Sequence, residues 1–121
     1  MIKTREPNEG TTNMHRYPIE QDHRLDANGN PAGGETTGVG LSISWQNGPL
    51  KNPDGTSNPR NGAFVEDVIQ AAIGRLEYYN STKFRCRENS LAITKLEEAL
   101  HWMGHRTADR GRRGVEGSHE L

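Results

Sequence analysis

A chain of 121 residues and 13.5 kDa has room for one ordinary core, or for a thin sheet plus one helical unit, and excludes two full cores. Only 31% of its residues are hydrophobic and it carries 14 Gly and 6 Pro, so a lone chain has little apolar surface to set against its conformational entropy and self-association is expected. Lys and Arg total 15 against 16 Asp and Glu, which excludes the broad basic field that duplex nucleic acid requires, and the single Cys86 excludes a disulfide or a multi-thiolate zinc site within one chain.

No apolar run reaches membrane-spanning length and residues 1–10 lack the apolar stretch of a secretory signal, so a cytoplasmic protein is expected. Residues 1–16 read as an arm or an edge strand. Residues 17–60 form a β-rich region, in which NGNPAGG (28–34) supplies residues that tolerate positive φ and tight reversal, so the surrounding RLDANGNPAGGETTGVG reads as a hairpin or a loop. Val39, Leu41, Ile43 and Trp45 then alternate with small or polar residues, the period-two pattern of a half-buried strand. NGPLKNPDGTSNPRNG is punctuated too heavily for anything but a loop with room for a short strand.

From residue 61 to the end the pattern is helical. Val65, Val68, Ile69, Ala72, Leu76 and Tyr79 recur at spacings of three and four, which predicts a helix over 62–80. NSTKFRCREN turns the chain. Ala92, Ile93, Leu96, Ala99, Leu100 and Met103 make a second stripe, which predicts a helix over 87–112. The expected fold class is α+β: a small antiparallel β layer followed by a C-terminal antiparallel two-helix hairpin, in an oligomer because each stripe exceeds what one helix covers.

Chemistry-bearing residues gather on this hairpin. Arg106, Arg110 and Arg113 stand at i, i+4 and i+7, which suits phosphate; on spacing alone, a solvated helix end that offsets the helix dipole fits better. Tyr78, Tyr79 and Phe84 cluster where the second helix begins and could stack on a purine, with the amide of Asn89 offering a donor and an acceptor to a base edge. Core aromatics and a capping Asn fit the same residues equally well. Asn89 and Arg106 are 17 positions apart, roughly 25 Å along one helix, so one hairpin cannot close both around a small ligand, whereas two hairpins packed antiparallel can. Lys83, Arg85 and Arg87 crowd the start of the second helix and could hold a further anion. The five histidines form no zinc-ligand spacing, and no GxSxG, Walker loop or Cys–His nucleophile pattern occurs, so no cofactor, metal or catalytic residue is expected and binding is favoured over turnover.

ISWQNGPL (43–50), NGAFVEDVI (61–69), KFRCRENSLAITKLEEALHWM (83–103), HRTADR and RGVEGSHE resemble the phage anti-Thoeris sponges, whose helical hairpin is shared with anti-CBASS sponges. The resemblance covers about residues 17–121. It implies a dimer or hexamer that acts in the cytoplasm of the infected bacterium and sequesters cyclic ADP-ribose isomers, with cyclic di- and trinucleotides in separate pockets. It further implies that Tyr79 and Asn89 of one subunit meet Arg106 and Arg110 of its mate around the ligand, and this reverses the preference for a solvated helix end. Two other readings stand beside it: an enzyme that degrades the same cyclic nucleotides, and a helical-hairpin module that binds a host protein.

Overall fold

In a computed structural model, residues 2–3 and 17–112 are described, with side chains from residue 17 to residue 107. The elements in chain order are β1 (Ile2–Lys3), β2 (Glu20–Leu25), β3 (Pro31–Gly38), β4 (Leu41–Ser44), α1 (Val65–Asn80) and α2 (Arg87–Arg112). They fall into two compact units, Met1–Ala63 and Phe64–Leu121. The architecture is the expected α+β one, an antiparallel sheet followed by two helices.

The first unit is an antiparallel sheet in the order β1-β2-β3-β4, with β1 a two-residue edge. Gln21, Thr36 and Ile43 are in register across β2, β3 and β4, and Asp22, Glu35 and Ser44 form the next row. Side chains alternate between faces along a strand, so the first row lies on one face and the second on the other. The first face is the less exposed one. There Thr36, only 4% exposed, accepts a hydrogen bond from Trp45 Nε1 (2.8 Å) and donates one to Gln21 Oε1 (2.6 Å). Its hydroxyl is satisfied both as acceptor and as donor, which is what lets a polar side chain be buried.

Two tight reversals build the sheet. Asp26 Oδ1 accepts from the amides of Asn28 (2.8 Å) and Asn30 (3.0 Å), and Gly29 takes φ 81°, so DANGN closes the β2–β3 hairpin as an Asx turn. Val39 and Gly40 form the two-residue β3–β4 reversal, with Gly40 at φ 74°. Here the expected strand differs from the observed one. The alternation of Val39 with Leu41 and Ile43 continues through a turn, so Val39 projects into solvent and β4 begins at Leu41. The stretch read as a hairpin or a loop is a hairpin, and its Gly-rich PAGGETTG is the inner strand β3, paired on both edges. Gly34 is needed there: β2 and β3 slip register between His23 and Leu25, and a Cβ on Gly34 would fall on the Asp22 carbonyl.

The loop after β4 is held by amide side chains. Gln46 Oε1 accepts from the amides of Asn61 (3.0 Å) and Gly62 (3.2 Å), and Asn61 bonds the Asn47 backbone through both side-chain atoms, at 2.8 Å each. At its tip Asn52 and Asn58 exchange reciprocal amide bonds of 2.9 and 3.2 Å. Asn and Gln here substitute for a backbone ladder that the prolines of this loop cannot complete.

The second unit is the helical hairpin. α1 starts at Val65 rather than at residue 62, because Ala63 is tied to the sheet unit by a backbone pair with Ser44 and Gln46. The Asp67 carboxylate accepts from the Phe64 amide (2.8 Å), so the third residue of the helix satisfies the entry even though Phe64 has no capping oxygen of its own. α2 spans the expected 87–112. Among the described residues no apolar side chain of either unit is buried. No helix among them is long and apolar enough to cross a membrane.

Candidate ligand site on the helical hairpin

The turn between the helices is a dense polar knot. At the end of α1 the Ser81 and Thr82 hydroxyls donate to the carbonyls of Tyr78 and Tyr79, at 2.6 Å each, in addition to the backbone amides of the same two residues, which also bond those carbonyls. Cys86 takes the place of an N-cap residue: its Sγ accepts from the Asn89 amide at 3.4 Å and its carbonyl accepts from the Ser90 amide at 3.4 Å. Asn80 joins the two helices. Its Oδ1 accepts from the Cys86 amide and from Asn89 Nδ2, both at 3.3 Å, and its Nδ2 donates to Ser90 Oγ at 3.1 Å.

Tyr79 and Asn89 therefore lie at the same end of the hairpin, one position before and nine positions after Asn80. Tyr79 is 37% exposed and its ring meets that of Tyr78 at a centroid distance of 5.8 Å and a tilt of 49°. The Arg75 guanidinium lies 4.8 Å from both ring centroids. A hydrogen bond to Tyr79 holds Arg75 still more firmly in its charged form. The aromatic platform thus carries a cation that sequence reasoning did not single out, although Arg75 and Tyr79 stand at the i, i+4 spacing that brings them together.

Lys83, Arg85 and Arg87 are exposed around the same turn, with Lys83 Nζ 5.5 Å from the Phe84 ring centroid. Arg106 is exposed near the far end of α2. Arg110 is part of the same helix, its side chain outside the described residues, and Arg113 lies outside them altogether. The hairpin sets Tyr79 and Asn89 at its turn end and leaves Arg106 near the other end of α2. Between the two ends Trp102, 68% exposed, has its ring centroid 6.0 Å from those of His101 and His105, both edge-on to it. Among the described residues no group of three or more His, Cys, Asp or Glu is placed to hold a metal ion.

These features define a class: a small α+β protein whose two-helix hairpin gathers exposed cationic and aromatic side chains and the Asn80–Asn89 pair around its turn. Residues 41–108, from β4 through most of the hairpin, match the family model described as the Acb2/Tad1 hairpin domain, and the chain belongs to this family. It is also 49% identical, over 79 residues, to the Thoeris anti-defense 1 protein of Bacillus phage SBSphiJ7. The match covers 65% of this chain and 52% of that relative, so the chain spans about half the length of the curated protein it resembles.

Proposed function

We propose that the protein is an anti-defence sponge: it binds cyclic ADP-ribose isomers between two copies of the chain and holds them without cleaving them, so that the signal never reaches its effector. The observation that carries this reading is the placement of Asn89, Arg106 and Arg110 on one uninterrupted α2. Asn89 sits in its first turn and Arg106 17 residues later, about 25 Å along the axis, too far to touch one small ligand. Two hairpins running antiparallel bring the Arg106 and Arg110 end of one copy beside the Tyr79 and Asn89 end of the other. Tyr79 then stacks on the base, Asn89 reads its edge, and the arginines take the diphosphate. The likeness to a Thoeris anti-defense protein supports this class of signal. Cyclic di- and trinucleotides are further ligands under this reading, with Lys83, Arg85 and Arg87 as their anion contacts.

The test is complementation. An Arg106→Ala oligomer and an Asn89→Ala oligomer, at a ligand concentration that saturates the wild type and leaves each variant mostly empty, are mixed and allowed to exchange subunits, with exchange verified by mass-tagged chains. Heterodimers then hold one pocket with both defects and one with neither, and binding returns to at most half of their sites. A pocket within one chain gives no recovery at any ratio. Ligand recovered intact after heat denaturation of the complex separates the sponge from an enzyme that degrades the same signal.

A further inference from the structure

The turn knot determines which atom of Asn89 can face a ligand. An isolated Asn amide presents a donor and an acceptor, and either rotamer of the flat group is open to it. Here two backbone groups remove that freedom. The Cys86 amide can only donate, so the Asn80 atom that meets it at 3.3 Å is Oδ1. That same oxygen faces the Asn89 amide at 3.3 Å, and the Phe84 carbonyl, which can only accept, faces it at 3.4 Å. The Asn89 atom between these two oxygens must be the donor Nδ2, since a flipped amide would set oxygen against oxygen twice. Both hydrogens of Nδ2 are then committed inside the turn. Asn89 Oδ1 is left without a hydrogen bond among the described residues, and it is the part of the amide free to meet something else.

We infer that Asn80 is a positioning residue that locks Asn89 with its carbonyl oxygen outward, so that the site selects a base edge bearing a donor, such as the 6-amino group of adenine, and disfavours one that lacks it. This rests on the reading of Asn89 as a ligand contact. It narrows that reading, because an Asn free to use both amide atoms would grip adenine through a donor and an acceptor together, whereas the locked one offers a single acceptor. Ser90 supports the lock from the other side by taking the Asn80 Nδ2 hydrogen bond.

The experiment compares, by calorimetry, a cyclic ADP-ribose isomer closed through ribose hydroxyls, which leaves the 6-amino group free, with its counterpart lacking that amino group. The wild-type protein is expected to bind the amino form about three- to tenfold more tightly, the value of one hydrogen bond. Asn80→Ala leaves the Phe84 carbonyl as the one remaining hold on Asn89 Nδ2, which loosens the amide and lowers the ratio below the wild-type value. Asn80→Asp keeps the acceptor oxygen and keeps the ratio. Arg106→Ala weakens both ligands and leaves the ratio unchanged. Equal binding of the two ligands by the wild type, with Arg106→Ala still weakening both, overturns this inference and leaves the sponge reading standing. An Asn80→Ala variant that melts at lower temperature but discriminates as the wild type does makes Asn80 a structural residue only, and overturns the positioning role. Binding of neither ligand by the wild type removes the sponge reading and this inference with it.

Discussion

Arg106 is exposed on α2, and on the sponge reading it meets phosphate only when a second hairpin supplies the base-binding end. Arg106→Ala and Arg110→Ala are each expected to weaken cyclic ADP-ribose binding by about 1.5 to 3 kcal/mol, the value of a charge-assisted hydrogen bond, or roughly ten- to a hundredfold. Titration calorimetry on the folded variants measures this, and unchanged affinity for both removes the arginines from the site. At this scale the sequence was informative about residue type and poor about surroundings. Tyr79 and Asn89 were visible as an aromatic and an amide near a turn. That Arg75 lies over both tyrosine rings was within reach of helical spacing, whereas that Asn80 holds the Asn89 amide depends on how the chain reverses between Ser81 and Cys86, which spacing along a helix does not encode.

The helices were legible because their apolar stripes persist over about three turns or more, and α2 has the expected bounds. The sheet was less so. β2, EQDHRL, contains one apolar residue in six, and β3, PAGGETTG, reads by composition as a loop. Both are strands because antiparallel pairing is supplied by backbone groups and by two Asx- and Gly-based reversals, and because Thr36 anchors the sheet through its hydroxyl. Gly34 is the most constrained position in this element: φ is 118° and a side chain would strike the Asp22 carbonyl. Gly34→Ala is expected to destabilise the sheet unit by about 2 kcal/mol or more, the combined effect of strained φ and forced strand separation. Urea denaturation followed by Trp45 fluorescence checks it, with Gly40→Ala, where a Cβ meets nothing within 4 Å, as the milder control.

For the whole molecule the governing fact is that no apolar side chain among the described residues is buried. Val65, Leu91 and Trp102 are all large, apolar and exposed, and Trp102 is the most so of the three. Surface of this kind is normally covered by further copies of the chain in small proteins with thin cores. Sedimentation at micromolar concentration is expected to show an oligomer, and a 13.5 kDa monomer would sink that expectation. Leu100→Glu, on the α2 stripe, is expected to dissociate or unfold the protein, since burying an unpaired carboxylate costs several kcal/mol.

The sequence alone determined the α+β class, the two helices and the residue types crowded on the hairpin, because helical periodicity and the charge of a side chain are local properties. It also carried the family resemblance that residues 41–108 bear out. Only the tertiary structure decided that a Gly-rich segment is an inner strand, that Val39 belongs to a turn, and that Asn89 keeps its oxygen free while its nitrogen is spent. Each of these depends on backbone groups brought together from different parts of the chain, where a single fixed donor or acceptor dictates how its neighbour must point.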